Sequence, residues 1–166
     1  MSVRFITPLR EPRGTITSLL QRSYAELLRS DPEPWSQEAA KWQEYDREVF
    51  RNPATVGACA FVTWSDDQMV GFGSYDPRQK PELGIVGHNC ILPEFRGQGL
   101  GAQQIREILR RFQTLGIRTA KVTTHEHPFF VPAQRMYVAC GFHEVRRIPW
   151  DRAPGSVLLE YESVIG

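Results

Sequence analysis

The stretch Asn89-Cys-Ile-Leu-Pro-Glu-Phe-Arg-Gly-Gln-Gly-Leu-Gly-Ala102 joins an apolar run to a helix-forming segment and decides the fold. The apolar run, Leu83 to Leu92, indicates a buried central strand, and Pro93 ends it because proline has no N–H to give a neighbouring strand. Beyond the glycines, apolar residues recur at helical spacing as far as Leu115. A strand, a glycine turn and a helix start together make a cradle for a phosphate, because the first N–H groups of a helix lack internal partners.

The turn itself is Arg96-Gly97-Gln98-Gly99-Leu100-Gly101, with glycines at alternate positions beside an arginine that adds positive charge. It is not a Walker loop, since no Gly-Lys-Ser/Thr follows, and its glycines do not have the G-x-G-x-x-G spacing of dinucleotide sites. Arg96-x-x-Gly99-x-Gly101 matches the R/Q-x-x-G-x-G/A signature of the GCN5-related N-acetyltransferases (GNAT), and the chain resembles that superfamily. In those enzymes this loop holds the pyrophosphate of acetyl-coenzyme A. The alternative is a glycine turn that only connects a strand to a helix.

A second motif supports the resemblance. The segment Ala133-Gln-Arg-Met-Tyr137-Val-Ala-Cys-Gly141-Phe142 matches the pattern A-x-x-h-Y-x-x-x-G-F, where h is apolar, which follows the fifth strand in the same superfamily. The two motifs occur in the family order. The resemblance therefore covers nearly the whole chain, although the N-terminal half fits only by the order of its elements.

The resemblance implies a mixed α/β fold in one domain over residues 1–166. Its mostly antiparallel sheet would have six or seven strands, splayed between strands 4 and 5, with flanking helices. The pantetheine arm of acetyl-coenzyme A would lie in that gap and pair with backbone groups of the central strand. The implied coenzyme-binding residues are Ile91, Leu92, Arg96, Gly97, Gln98, Gly99, Leu100, Gly101, Ala102 and Phe130. Phe130 departs from the family, many of whose members have a coenzyme-binding asparagine at this position.

Hydrophobic periodicity and turn residues predict the remaining elements. The predicted strands are Val3–Ile6, Ala58–Trp64, Met69–Tyr75, Leu83–Leu92, Thr119–Thr124, Phe142–Arg147 and Val157–Tyr161. One helix is expected from Ile16 to Leu28, stopped by Pro32 and Pro34, and a second is expected to start near Ser36 as its N-cap. A short helix is expected over Ala133–Cys140, with Gly141 at its end.

Tyr137 is the candidate general acid, because a phenol of pKa about 10 can protonate a departing thiolate of pKa about 8.5 at modest cost. The family uses the equivalent tyrosine in this way. The alternative is an ordinary tyrosine packed in its helix. The titratable candidates for a base are His88, His125, Glu126 and His127, and a water chain or an amine of low pKa would make a base residue unnecessary. The identity of the base stays open.

The acceptor site is predicted less sharply. Aromatic residues of the second helix and polar residues near the later loops are the candidates, and core packing is at least as good an interpretation for Trp42. The candidate acceptor residues are Trp35, Asn89, His125 and Glu126. His125-Glu126-His127 also looks like part of a zinc site. No third cysteine or histidine ligand is near in the sequence, so no metal is expected.

Composition limits the other function classes. The 166 residues are 41% hydrophobic and 23% charged, with a formal net charge of +1, so no overall field favours nucleic acid or a membrane. No apolar run approaches the roughly 20 residues of a membrane span. Three widely spaced cysteines argue against a disulfide framework, and we expect buried thiols in the cytoplasm.

The sequence therefore predicts an acetyl-coenzyme A-dependent N-acetyltransferase that acts on a small-molecule or peptide amine by direct transfer in a ternary complex. Neither nucleic acid nor a membrane is an expected partner, and the oligomeric state, with a homodimer as one option, is open. Three alternatives remain at this point: an acyltransferase that uses a longer acyl group, a non-catalytic module that binds coenzyme A, and a partner-binding protein that only retains the fold.

Overall fold

The computed structural model describes residues 1–166 and contains seven strands and five helices, connected by short 3-10 turns. The strands are β1 Val3–Ile6, β2 Ala60–Ser65, β3 Gln68–Asp76, β4 Leu83–Ile91, β5 Thr119–His125, β6 His143–Pro149 and β7 Val157–Val164. The helices are α1 Thr15–Ser23, α2 Ala25–Ser30, α3 Pro32–Arg51, α4 Leu100–Thr114 and α5 Val131–Ala139. All seven predicted strands are confirmed, with ends displaced by no more than a few residues.

The strands form one sheet in the order β1-β2-β3-β4-β5-β7-β6. Strands β4 and β5 are parallel, and Leu83–Ile85 pair with Thr119–Lys121. Antiparallel pairs join β1 to β2, β2 to β3, β5 to β7, and β6 to β7. The mixed α/β fold, the seven strands and the parallel fourth and fifth strands are therefore confirmed.

Packing divides the chain into two compact units. The first comprises Met1–Ser74 and His88–Leu100, and the second comprises Tyr75–Gly87 and Gly101–Gly166. Buried side chains of the first unit include Leu19, Leu20, Trp42, Val49, Phe61, Val70 and Phe72. Those of the second include Ile105, Ile108, Phe112, Ala120, Val122, Phe142 and Leu159. The single domain expected over residues 1–166 stays a prediction.

The N-terminal helices differ from the sequence-based expectation. Helix α3 begins at Pro32 rather than near Ser36, and Asp31 is at its N-cap position. Pro32 and Pro34 both lie in the first turn, where backbone N–H groups have no intrahelical partner, so proline loses nothing there. The predicted N-cap at Ser36 was therefore wrong.

The single helix predicted from Ile16 to Leu28 is divided into two in the structure. Helix α1 ends at Ser23 and α2 begins at Ala25. Helix α1 starts after Gly14, which has no side chain to cap it. The buried carboxylate of Asp46 on α3 provides the cap, accepting from the N–H groups of Gly14 and Thr17 at 3.1 and 2.9 Å. Asp46 thereby joins α1 to α3 and satisfies the unpaired donors at the start of α1.

Candidate functional site

The glycine turn leads directly into α4, which begins at Leu100. Gly97 and Gly99 both have φ of +78°, a left-handed backbone that L side chains rarely adopt. A Cβ built on either glycine would have no protein atom within 4 Å. The turn therefore offers open space beside an exposed backbone and a helix start, as an anion site requires.

Arg96 binds protein carbonyls at the base of this turn. Its Nη2 donates to the carbonyl oxygen of Ser23 at 2.5 Å, and its Nε donates to the carbonyl oxygen of Ile91 at 3.1 Å. The arginine that the sequence suggested as a positive charge for a phosphate thus connects the turn to the end of α1 and the end of β4.

The first unit also contains three other residues that the sequence proposed for coenzyme or acceptor binding: Leu92, Asn89 and Trp35. The N–H of Leu92 donates to the carbonyl of Val70 at 2.8 Å, so it is already used where pantetheine pairing was expected. Asn89 is half-buried on β4. Trp35, a candidate for the acceptor pocket, is buried with its ring stacked on Tyr24 at 6.1 Å between centroids. Trp35 belongs to the packing of the N-terminal helices.

His88 packs against two aromatic rings, with centroid distances of 4.9 Å to Tyr45 and 6.1 Å to Phe72. Its backbone N–H donates to Ser74 Oγ at 2.7 Å. Burial lowers the pKa of His88 from 6.5 to about 4, because the charged imidazolium loses its hydration. His88 is therefore a neutral imidazole at pH 7 and a weak base.

His125 in the second unit has the same electrostatic character. Its ring lies 4.8 Å from Phe130 and 4.6 Å from Trp150, measured between centroids. Burial, with a smaller contribution from His127, lowers the pKa of His125 to about 4. Phe130 is buried and also contacts Phe129 at 5.0 Å. The residue that replaces the family's asparagine thus packs within an aromatic cluster.

The other two members of the His125-Glu126-His127 run make separate contacts. Glu126 pairs with Arg147 at 2.7 Å, and His127 Nδ1 accepts from the N–H of Phe129 at 3.1 Å. No group of three histidines, cysteines or acidic residues in the chain is arranged to hold a metal ion.

Tyr137 lies near the end of α5, and the second motif explains its surroundings. Gly141 has φ of +93°, its N–H donates to the carbonyl of Val138 at 3.1 Å, and the N–H of Phe142 donates to the carbonyl of Tyr137 at 3.0 Å. This pair of bonds is a Schellman cap, which places Phe142 against the helix it ends. The side chain of Tyr137 is only 5% exposed, and its ring contacts Phe142 at 5.9 Å and Tyr161 at 6.0 Å.

Comparison with known proteins decides the family. The model of the acetyltransferase (GNAT) family matches residues 20–142, which include both motifs and most of the chain. The chain belongs to the GNAT family of acetyltransferases. No curated protein matches the sequence.

Solved structures share this GNAT fold at low sequence identity. A protein of Desulfovibrio desulfuricans assigned to the GNAT acetyltransferases is 19% identical over 99% of both chains, with a TM-score of 0.75. An aminoglycoside 6'-N-acetyltransferase in complex with coenzyme A is 15% identical over 100% of this chain and 98% of its own, with a TM-score of 0.71. A protein of Bacillus anthracis str. Ames assigned as a streptothricin acetyltransferase, in complex with acetyl coenzyme A, is 14% identical over 64% of this chain and 62% of its own, with a TM-score of 0.58.

Two of the basic residues of α4 are paired with an acidic residue of the same helix in this GNAT protein. Arg110 and Arg111 both pair with Glu107 at 2.8 Å, and these pairs lower the pKa of the Glu107 carboxyl, Arg110 being the first cause. None of the helices combines the length and apolar character that crossing a bilayer requires.

Sequence reasoning missed Ser23, Asp46 and Trp150, which respectively hold Arg96, cap α1 and contact His125. Each acts through a partner at least 25 positions away in the chain. No local signal marks such residues, because neither periodicity nor motif spacing carries information about contacts between distant segments.

Proposed function

We propose that this GNAT protein transfers the acetyl group of acetyl-coenzyme A to a primary amine, by direct attack in a ternary complex. The observation that carries the proposal is the open, left-handed glycine turn at the start of α4. Family membership supports acyl transfer, and similar structures that contain coenzyme A or acetyl-coenzyme A support the choice of donor. We further propose that residues 1–166 act as one N-acetyltransferase domain in the cytoplasm.

The backbone of Gly97, Gln98, Gly99 and Leu100 would hold the pyrophosphate. Unpaired N–H groups and the positive end of the α4 dipole favour a negative charge there. The absence of a Cβ at 97 and 99 lets the phosphates approach the backbone closely. Acetyl-coenzyme A supplies the acetyl group as a thioester, whose thiol leaves when the amine attacks.

Tyr137 would donate its phenolic proton to the departing thiolate. The difference of about 1.5 units between the reference pKa values of tyrosine and of a thiol makes this transfer inexpensive. Packing by Phe142 and Tyr161 would hold the ring in one orientation, which favours a positioned acid over a mobile one.

His88 and His125 are poor candidates for the base in this proposal. Their pKa values of about 4 lie roughly six units below that of an alkylammonium such as lysine. Moving a proton across that difference costs about 8 kcal/mol. We therefore propose that the acceptor amine releases its proton to bulk solvent through a water chain, or arrives neutral, before it attacks.

The test is a screen of primary amines with acetyl-coenzyme A, read as release of free thiol, followed by Tyr137→Phe. General acid catalysis is typically worth about 10²–10⁴-fold, so kcat should fall at least about 100-fold. The dissociation constant for acetyl-coenzyme A should barely change, because the lost interaction belongs to the transition state.

Tyr161→Phe is the matched control, because Tyr161 is also 5% exposed and packs against Tyr137. It should leave kcat within a few-fold. Equal kcat in Tyr137→Phe and the wild type would remove Tyr137 from the mechanism. Thermal melts separate these outcomes from loss of binding, since a ligand at about 100 times its dissociation constant stabilises by roughly 2.7 kcal/mol. No shift at millimolar acetyl-coenzyme A would contradict the proposed donor, and binding without transfer to any amine would favour a non-catalytic module.

A further inference from the structure

The break between α1 and α2 coincides with the contact that Arg96 makes. The N–H of Tyr24 closes α1 on the carbonyl of Leu20 at 3.0 Å, and the N–H of Leu28 bonds the carbonyl of Tyr24 at 3.1 Å. Between these two bonds the carbonyl of Ser23 accepts from Arg96 instead. Arg96 thus satisfies a carbonyl that a continuous helix would have satisfied itself.

The same guanidinium holds a second carbonyl. Its Nε donates to Ile91 at the end of β4, five residues before the arginine itself. One planar group therefore joins three segments: the glycine turn, the last turn of α1 and the end of β4. A cation at the C-terminal end of α1 is also favoured by the dipole of that helix.

This geometry differs from that of a phosphate ligand. At least two of the guanidinium donors are directed at backbone carbonyls of the protein. Lysine keeps the positive charge of arginine, but its ammonium lacks the rigid planar fork that addresses two separate acceptors. If the charge of Arg96 is what matters, Arg96→Lys should behave like the wild type. If the planar fork is what matters, Arg96→Lys should behave like a loss of the side chain.

We propose that Arg96 is a positioning residue that connects the glycine turn to the break between α1 and α2, and that it does not bind coenzyme by neutralising the pyrophosphate. The coenzyme part of this inference rests on the proposed function. Its structural part is independent of any ligand. A turn held in this way would present its N–H groups already ordered, which increases affinity by reducing the entropy lost on binding.

The experiment compares Arg96→Lys and Arg96→Gln with the wild type. Amide hydrogen exchange of Tyr24 and Leu28 is measured without coenzyme, and the dissociation constant of acetyl-coenzyme A is measured at two salt concentrations. Both substitutions should speed exchange at these amides about tenfold and weaken acetyl-coenzyme A about tenfold, to the same extent. The salt dependence of the dissociation constant should match that of the wild type, because no phosphate contact has been lost.

Arg22→Gln is the matched control. Arg22 lies in the last turn of α1 and pairs with exposed Glu94 at 3.1 Å, so this change removes a positive charge near the turn without touching Arg96. It should leave both measurements within about twofold of the wild type. If Arg96→Lys keeps wild-type exchange and affinity while Arg96→Gln loses affinity, the charge is what matters and the proposal is overturned. Unchanged exchange in both Arg96 variants would also overturn it.

Two further outcomes distinguish failure of this inference from failure of the proposed function. If wild-type protein does not bind acetyl-coenzyme A, the proposed function fails, and the coenzyme-free exchange data still decide the role of Arg96. If neither Arg96 variant folds, wild-type protein decides: acetyl-coenzyme A should slow exchange at Tyr24 and Leu28 at least threefold. If acetyl-coenzyme A slowed exchange only at residues 96–101, the proposed connection between the glycine turn and the break between α1 and α2 would be overturned.

Discussion

Two strand glycines and two turn glycines of the chain have opposite surroundings. A Cβ added to Gly73 on β3 would lie 2.5 Å from the ring of Phe61, and one added to Gly84 on β4 would lie 2.7 Å from the ring of Phe112. At Gly97 and Gly99 an added Cβ would meet nothing within 4 Å. The strand glycines make room for buried rings, whereas the turn glycines leave room that no part of the protein fills.

The difference separates glycines that packing requires from glycines beside which the proposed phosphate site would have room. Gly73 pairs directly with Phe61 across β2 and β3, so the absence of its side chain is explained within the fold. The left-handed backbone favours glycine at 97 and 99 whether or not a ligand fills the adjacent space. We expect substitutions in the two groups to affect different measurements.

The largest expected effect is on coenzyme binding by Gly99→Val. Its β-branched side chain would enter the space proposed for the pyrophosphate, and affinity for acetyl-coenzyme A should fall about 100-fold, roughly 2.7 kcal/mol. The domain should stay folded, since the added Cβ meets no protein atom. Calorimetric titration and circular dichroism measure the two properties.

Gly155→Val is the control for backbone strain. Gly155 has φ of +82° and equally open surroundings, but it lies in the turn between β6 and β7. Both variants should lose similar stability, about 1–2 kcal/mol, because both place an L side chain in a left-handed conformation. Equal loss of affinity in the two variants would show that strain, and not a phosphate site, explains Gly99.

Gly73→Ala should lower stability and leave coenzyme affinity unchanged, which is the reverse of the effect expected for Gly99→Val. The ring of Phe61 is fully buried, so moving it aside disturbs its packing, and the extra methyl should cost about 1–3 kcal/mol of unfolding free energy. For a chain of this size the melting temperature should fall by about 2–4 °C per kcal/mol. Affinity of the folded fraction for acetyl-coenzyme A should be unchanged. An unaltered melting temperature would mean that the strand glycines are not required by packing.

Acid tests the packed regions without a substitution. His88 and His125 have folded-state pKa values of about 4 against an ordinary 6.5, so between these pH values the unfolded chain binds protons that the folded chain does not. Stability should be complete above pH 6.5 and fall as the pH drops towards 4, by up to about 1.4 kcal/mol per pH unit for each histidine. Residues 96–101 of the glycine turn contain no group that titrates in this range.

Chemical denaturation at intervals between pH 7 and pH 4.5 measures this slope. His88→Gln and His125→Gln should each reduce it, since each removes one titrating group. A wild-type slope near zero would show that the two imidazoles keep their hydration in the folded protein.

Local sequence was sufficient for the parts of the fold that local physics controls. The alternating glycines after an apolar run identified the turn before α4, and Gly141 followed by Phe142 identified the end of α5, because left-handed caps and helix starts need particular residues at particular positions. The resemblance to the GNAT superfamily depends on these two segments. The strands followed from apolar patterning in the same way.

Only the tertiary structure decided where the first helix breaks, what Arg96 binds and how basic the histidines are. The carbonyl of Ser23 lies 73 positions from Arg96, and Asp46 caps a helix that begins 31 positions earlier. The low pKa values of His88 and His125 arise from rings brought to them by other segments. Hydrogen bonding and desolvation depend on distance in space, which local patterns of sequence do not specify.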